Sequence, residues 1–307
     1  MGRYPFMTAV NDYLGAMEGV LAPSTHKERK RRLARMNKIL LELEARGQMS
    51  TCHPEQMKDK DVLAYVSYLR SNGMSDAGIG HNINALGAVL GWVGNGAVTK
   101  ARSRFPQHFP HGPKKRLDPM SDDERDVVIR AALQVDVSEW RRMEAYAISV
   151  TAICTGLRPQ ELRFSEITDM DLNNATMHAE VVKGLNRYGE PRDTAIHPDG
   201  VPFLRRYLKA RAAELMRRGL TTNTLFPAVR SLKDGKPDVY SANSMTVLRN
   251  IVERETCVTY HLQKTRRTWG QVALDDGVPL DAVSRMMGHA TSRTTETYYA
   301  RKKNIPT

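Results

Sequence analysis

The sequence predicts a mainly α-helical protein of two domains, the second of which also contains a small antiparallel β-sheet. Apolar residues recur at helical spacing through most of the 307 residues. A proline-rich segment without periodicity, PQHFPHGPKKRLDP at 106–119, indicates a linker between the domains. Apolar and polar residues alternate in a short stretch that begins at position 176, which predicts a strand. The length allows each domain its own core.

The first domain, residues 1–105, is expected to be all-helical. Apolar stripes predict four helices, at about 4–21, 25–46, 58–70 and 75–93. The second of these begins with the basic run HKERKRRLAR. Cations at a helix N-terminus oppose the helix dipole, so contact with phosphate is one reason to place them there. A solvated charged face is the ordinary alternative.

Basic residues in two places are therefore candidate DNA contacts. Those in the linker could follow a phosphate backbone or form a solvated spacer. The candidates are Lys27, Arg29, Lys30, Arg31 and Arg32 in the helix, and Lys114, Lys115 and Arg116 in the linker.

The second domain, residues 120–307, begins with helical signals. Ser121 and Glu124 form an S-x-x-E capping box before an apolar helix. A further helix, about 138–155, ends in CTGLRPQEL, where a glycine stops one helix and a proline opens the next. Arg158 therefore lies at a sharp junction from which it can point into a cleft. Its alternative role is a surface ion pair with Glu161 or Asp169.

A β-meander is expected next. Residues 176–182 alternate as a strand and 192–196 form the return strand, which puts Lys183 at or near the tip of a hairpin. Judged from the hairpin sequence alone, an exposed lysine at such a position most often serves only to keep the surface soluble. Helices are expected to follow at about 199–219 and 241–255.

The C-terminal stretch 263–299, QKTRRTWGQVALDDGVPLDAVSRMMGHATSRTTETYY, predicts three short helices that end near Gly277, Gly288 and the terminal tyrosines. The first carries Trp269 on its buried stripe, with an arginine three residues earlier at the edge of that face. Several residues of this stretch could meet at one anionic group: Arg266, Arg267, His289 and Tyr298, with Tyr299 as a neighbour.

Composition limits the function. The net charge is +12, which favours an anionic partner, with nucleic acid before an anionic membrane. No apolar run approaches the roughly 18 residues of a membrane span. The cysteines, Cys52, Cys154 and Cys257, are scattered and odd in number, as expected for a reducing cytoplasm. The sequence has no P-loop, zinc motif or acidic cluster, so neither ATP nor a metal cofactor is expected.

The remaining candidate groups suit phosphoryl chemistry. Arginine binds phosphate bidentately, and tyrosine can act as a covalent nucleophile. A cationic pocket favours the phenolate and stabilises a five-coordinate transition state. A phosphotyrosine ester conserves the energy of the phosphodiester, so strands could be cut and rejoined without ATP or metal.

Three stretches, ICTGLRPQELRF, VVKGLNRYGEPRDTAIHP and RRTWGQVALDDGVPLDAVSRMMGHATSRTTETYY, resemble the tyrosine recombinase (phage integrase) family. The resemblance covers about 120–300 and implies a helical core-binding domain followed by a mixed, mostly helical catalytic domain. It implies phosphate-binding arginines, a hairpin lysine that protonates the leaving oxygen, a histidine beside the phosphate and a tyrosine nucleophile. The matching arginines are Arg158 and Arg266, with Arg267 as the less favoured alternative to Arg266. The matching lysine is Lys183 and the matching histidine is His289. The matching nucleophile is Tyr298, with Tyr299 as the less favoured alternative.

One departure concerns proton transfer. The family usually has H-x-x-R, but Gln263 stands three residues before Arg266. Glutamine can hydrogen-bond a phosphate oxygen but cannot accept a proton as a base. His261 and Lys264 lie nearby, and either could stand in. The identity of the proton acceptor stays open at this point.

The resemblance implies a site-specific DNA recombinase, an integrase of a viral, plasmid or other mobile element, that works through a 3′-phosphotyrosyl intermediate. It implies double-stranded DNA as partner, a homo-tetramer on DNA and a possible monomer when free. A type IB topoisomerase and a non-catalytic DNA-binding relative are the alternatives. Since the chain begins at the helical domain and ends at Thr307, we expect no arm-binding domain and a short C-terminal tail.

Overall fold

The structure is a computed structural model that describes residues 5–110, 118–185 and 189–298; the side chain of Tyr298 lies outside this description. The chain divides into two compact units, Met1–Lys114 and Lys115–Thr307. The first is helical, and the second is mostly helical with a three-stranded antiparallel sheet. The predicted fold class is therefore confirmed.

The first unit is built from α-helices whose apolar stripes face one core. Phe6, Leu33, Met36 and Tyr65 are fully buried in it. The last helix was not expected, because eight residues are too short to show a clear period. The helices are α1 (Pro5–Ala16), α2 (Pro23–Ala45), α3 (Asp59–Ser71), α4 (Asp76–Trp92) and α5 (Ala97–Arg104).

The first unit continues into the segment that was expected to be a linker from 106 onward. Pro106–His108 forms a turn of 3-10 helix, and Phe109 is buried in the core of this unit. Residues 111–117, which include Lys114, Lys115 and Arg116, lie outside the described part of the chain.

The second unit contains the remaining elements in the order helix, sheet, helix. The early helices are α6 (Asp122–Gln134), α7 (Trp140–Thr155) and α8 (Pro159–Arg163), and the strands are β1 (Met170–Asp171), β2 (Thr176–Ala179) and β3 (Arg192–Ala195). The later helices are α9 (Val201–Arg218), α10 (Val229–Lys233), α11 (Ala242–Thr256), α12 (Leu262–Asp275), α13 (Leu280–Met286) and α14 (Ser292–Tyr298).

The sheet has the order β1-β2-β3, and both pairings are antiparallel. Met177 and Ala179 alternate into the core, as the period of a half-buried strand requires. Ala179 pairs with Arg192, which fixes where the return strand begins. The two-residue strand β1 was not expected, since two residues show no alternation.

Helix α7 is the centre of the second core. It is buried on every side from Met143 to Thr155, and helices α6, α9, α11 and α12 pack around it. The polar side chains Ser149 and Thr155 bond to carbonyl oxygens four residues back, at 2.9 and 2.7 Å, so they cost little to bury. None of the described helices combines the length and apolar character needed to cross a bilayer.

Gly156 ends α7 with a left-handed φ of +64°. A Cβ at this position would lie 2.9 Å from Cε3 of Trp269 on α12. The indole is held in place because its Nε1 donates to the carbonyl of Ala195, at 3.2 Å. A glycine is therefore required here by both backbone angle and contact.

We predict that Gly156→Ala lowers the free energy of unfolding by about 2–4 kcal/mol. About 1–2 kcal/mol comes from left-handed alanine and the rest from the contact with Trp269. The matched control is Gly219→Ala, which has the same φ of +64° with nothing within 4 Å of the added Cβ. Urea denaturation of both variants measures the difference, and equal losses would refute the role of Trp269.

Candidate active site

Arg158 lies three residues after the end of α7 and two after its C-cap, Gly156. Its backbone is extended at the N-cap of α8, with Pro159 as the first helical residue. Nη1 donates to Glu161 Oε1 at 2.7 Å, and Nη2 donates to the carbonyl oxygen of Gly288 at 2.9 Å. The side chain is 22% exposed. The expected junction therefore presents a guanidinium that is held on two sides and partly open to solvent.

Arg266 is on α12 and is only 2% exposed. Its Nη1 donates to the carbonyl of Gly156 at 2.7 Å, and its Nη2 donates to the carbonyl of Met287. These two carbonyls belong to the ends of α7 and α13. A cation there is favoured, since carbonyls at a helix C-terminus carry partial negative charge.

His289 follows the end of α13, where Gly288 adopts a left-handed φ of +61°. Its Nε2 is 3.3 Å from Nη2 of Arg266, and its Nδ1 is 2.8 Å from Oγ1 of Thr295. Burial is the main reason that the pKa of His289 is lowered, to about 3. The neighbouring guanidinium groups lower this pKa further, and Glu161 acts in the opposite direction. The ring is therefore neutral at ordinary pH.

Arg192 and Glu161 complete this group, although neither was predicted as a site residue. Arg192 Nη1 and Nη2 donate to the two oxygens of Glu161 at 3.0 and 2.7 Å, and Nε donates to the carbonyl of Met286 at 2.7 Å. The Glu161 side chain has no exposed surface. Burial favours the neutral form of Glu161. The hydrogen bonds and charge of Arg192, followed by those of Arg158, nevertheless lower the pKa of Glu161 to about 2.

The sequence suggested a surface ion pair between Arg158 and Glu161. The structure contains this ion pair, but its carboxylate is buried. The position of Glu161 in RPQEL could have suggested it, because an acid three residues after an N-cap bonds back to the cap. No local signal marks Arg192, whose contacts join residues 31 and 94 positions apart.

Together the described side chains make a cationic site around a neutral imidazole. Two guanidinium groups, from Arg158 and Arg192, pair with one carboxylate, Glu161, and a third, from Arg266, lies beside His289. Such a site suits an anion with several oxygens, because arginine donates in a planar fork that fits phosphate. Among the described residues there is no cluster of His, Cys, Asp and Glu suited to a metal ion.

The candidates for the proton acceptor lie near the start of α12. Gln263 is exposed. Lys264 Nζ pairs with Glu124 at 2.9 Å. His261 is the N-cap, and its Nδ1 accepts the backbone N–H of Lys264 at 3.0 Å.

The remaining candidates are Lys183, Arg267, Tyr298 and Tyr299. Lys183 is exposed at the turn after β2. Arg267 donates to the carbonyl of Asp118 at 3.5 Å, whereas Arg266 donates to the carbonyls of Gly156 and Met287. Tyr298 is the last residue of α14, but its side chain lies outside the described part, as does all of Tyr299.

The basic start of α2 lies in the other unit. Of its candidates, Lys27, Lys30 and Arg31 are exposed. Arg29 donates to the hydroxyl of Tyr13. Arg31 and Arg32 each pair with Glu28, at 2.9 and 3.3 Å. Ion pairs that are open to solvent on at least one side are weak.

Residues 127–304 match the model of the phage integrase family. This match covers more than half of the 307 residues, and the chain belongs to the phage integrase family.

Its curated relatives include tyrosine recombinases. It is 21% identical over 245 residues to tyrosine recombinase XerD of Oceanobacillus iheyensis, covering 80% of this chain and 78% of the relative. It is 24% identical over 255 residues to tyrosine recombinase XerC of Staphylococcus carnosus, covering 78% and 76%. These are proteins that the chain is similar to.

Solved structures of recombinases share the fold. A Tn1549 transposon integrase in complex with circular intermediate DNA has a TM-score of 0.65 at 16% identity, covering 96% of both chains. A lambda integrase dimer bound to a COC′ core site has a TM-score of 0.63 at 14% identity, covering 97% of this chain and 98% of that one.

We predict that Arg192→Ala lowers the free energy of unfolding by about 3 kcal/mol at pH 7, because it leaves a buried carboxylate with only part of its compensation. Arg163→Ala is the control, since Arg163 is also partly buried on α8 but donates to the carbonyl of Tyr240 at 2.7 Å, outside this site. Urea denaturation measures both, and an equal loss in the two variants would contradict the prediction.

The ion pair between Arg192 and Glu161 should make the free energy of unfolding depend on pH. Because the pKa of Glu161 is lowered to about 2, its ionised form stabilises the fold above the unfolded pKa of about 4.3, and this contribution is lost as pH falls towards 2. The penalty of Arg192→Ala should therefore shrink between about pH 5 and pH 2.5. A constant penalty over that range would show that Glu161 does not gain its charge stabilisation from Arg192.

Proposed function

We propose that the chain is a site-specific DNA recombinase that cuts and rejoins strands through a 3′-phosphotyrosyl bond to Tyr298. The observation that carries this is the meeting of Arg158, Arg266 and His289, from stretches more than 100 residues apart, around the ends of two helices. Membership of the phage integrase family supports it.

In the proposed reaction, Arg158 and Arg266 bind the non-bridging oxygens of the scissile phosphate and stabilise the charge of the five-coordinate transition state. The phenol oxygen of Tyr298 bonds to phosphorus as the bond to the 5′ oxygen breaks. Lys183, on the hairpin turn, gives the leaving oxygen its proton. The phenol proton goes to a nearby base, and the reverse sequence rejoins a strand.

The arrangement needs no ATP, since the phosphotyrosyl ester keeps the energy of the broken bond. No step calls for a metal, because the guanidinium groups supply the positive charge at the phosphate. We propose that double-stranded DNA is the partner, with four copies assembled on DNA and one copy when free. The basic start of α2 and the cations at 114–116 would contact the backbone.

A role for a mobile element is the favoured setting. The Tn1549 transposon integrase and lambda integrase, both bound to DNA, share the fold of this chain over almost its whole length. We propose that the chain acts in the cytoplasm, on the DNA of its host, and integrates or excises such an element.

We predict that Tyr298→Phe abolishes the covalent adduct on a nicked duplex carrying the end sequence of the element, because phenylalanine has no oxygen to attack phosphorus. DNA affinity should stay within about threefold of wild type, since phosphate contacts set most of it. Denaturing gel electrophoresis measures the adduct and a mobility shift measures the affinity.

Tyr299→Phe is the matched control and should keep the adduct. An undiminished adduct in Tyr298→Phe would move the nucleophile elsewhere. Sequencing of rejoined junctions separates recombination from relaxation. Relaxation of a supercoiled plasmid that lacks the element's ends, without new junctions, would favour a type IB topoisomerase.

A further inference from the structure

Thr295 lies on α14, three residues before Tyr298, and has no exposed surface. Its hydroxyl oxygen is 2.8 Å from Nδ1 of His289. A buried threonine that meets a neutral imidazole can decide which ring nitrogen carries the proton.

The other ring nitrogen settles the direction of this bond. Nε2 of His289 is 3.3 Å from Nη2 of Arg266. A guanidinium has donors only, so Nε2 must be the acceptor in this contact. A neutral imidazole has one donor and one acceptor, so the proton is on Nδ1 and is donated to Oγ1 of Thr295.

The surroundings keep the ring neutral in the absence of a phosphate. Burial lowers the pKa of His289, and the charged groups that face it lower it further, with one exception that raises it. The lowering groups are Arg266 on α12, Arg158 before α8 and Arg192 on β3, and the raising group is Glu161 on α8.

We infer that Thr295 is a positioning residue that fixes His289 as the Nδ1–H tautomer, and so makes Nε2 the proton acceptor that Gln263 cannot be. This rests on the proposed function. The other basic groups near Gln263 are engaged elsewhere, since Lys264 pairs with Glu124 and His261 caps α12.

A bound phosphodiester brings negative charge beside the arginines and offsets part of the cationic field that disfavours imidazolium. Arg266 turns donors towards the phosphate oxygens, which frees the lone pair of His289 Nε2. The phenol proton of Tyr298 passes to Nε2 as the O–P bond forms, and Lys183 protonates the departing 5′ oxygen. Thr295 then accepts a stronger, charge-assisted bond from Nδ1–H.

Because Thr295 and Tyr298 share α14, the helix that delivers the nucleophile also sets the tautomer of its base. The two events are joined by one hydrogen bond. A tyrosine helix that is displaced from the site would leave His289 without its Nδ1 acceptor.

The test compares Thr295→Val, which keeps the shape but removes the hydroxyl, with Thr295→Ser, which keeps the hydroxyl. Thr294→Val is the matched control on the preceding, partly buried threonine. Single-turnover adduct formation on nicked duplex should slow about 10- to 100-fold in Thr295→Val, within the contribution of a positioned base. Thr295→Ser should recover the rate to within about threefold of wild type, and Thr294→Val should retain it.

A second measurement reads the tautomer without any reaction. Histidine ¹⁵N NMR of the full chain, with His289 assigned through His289→Gln, should show a protonated Nδ1 and a bare Nε2 in wild type. Thr295→Val should shift the ring towards the Nε2–H form. This readout stands even if no adduct forms in wild type, a result that would overturn the proposed function instead.

A third experiment introduces a second possible proton acceptor, a histidine at position 263. Gln263→His should restore adduct formation in Thr295→Val more than it raises the rate of wild type. The inference is overturned if Thr295→Val keeps the wild-type tautomer, or if the valine and serine variants are equally slow. It is also overturned if Gln263→His gives both backgrounds the same gain.

Discussion

The site depends on one buried cation that joins the ends of two helices. The guanidinium of Arg266 donates to the carbonyls of Gly156, at the end of α7, and of Met287, at the end of α13. A charge buried to 2% exposure is costly unless it is compensated, and helix-terminal carbonyls provide that compensation. Arg158 and His289 each follow one of these carbonyls by two residues, so the same contact places both.

Glycine is what allows the helix ends to meet. Gly156 and Gly288 both adopt left-handed φ values, and both are crowded where a Cβ would stand. Trp269 fills that space at the first and Arg192 at the second, where Nε would be 2.9 Å away. The close packing brings the helix ends near enough for one arginine to bridge them.

Glu161 gives the cationic site a stable form without a bound phosphate. It accepts from the guanidinium of Arg192 on both oxygens and from that of Arg158 on one, and so offsets charges that would otherwise repel one another. A phosphate would add negative charge to a site that retains more guanidinium groups than carboxylates. Glu161 thus offsets part of the positive charge at all times, and a phosphate offsets more of it only when it is bound.

Local patterns predicted most of the helices and the two arginines and histidine that the structure brings together. The S-x-x-E box at Ser121 is present as expected, and α7 ends at Gly156 as expected. Helices α5 and α10 and strand β1 were missed because elements this short carry no clear period. Arg192 was missed because its contacts join distant parts of the chain, and Thr295 was missed because its hydrogen bond with His289 depends on how the chain turns between α13 and α14.

The linker boundary stays a prediction, and the structure shows one contact at its start that depends on the tertiary fold. Prolines between 106 and 110 suggested a break, yet Phe109 is buried in the first core, a contact that no local pattern shows. Exposure of Lys183 on its turn was expected, while its role stays a prediction. The role of Tyr298 likewise rests on its position in the family motif and its place at the end of α14.

The most direct measurement is a crystal structure of the chain on a duplex whose scissile phosphate is replaced by vanadate, which mimics the five-coordinate transition state. The account predicts vanadate oxygens within about 3 Å of guanidinium nitrogens of both Arg158 and Arg266, with His289 beside them. The phenol oxygen of Tyr298 should be an apical ligand. Vanadate bound away from both guanidinium groups, with no guanidinium nitrogen of Arg266 donating to it, would contradict the account.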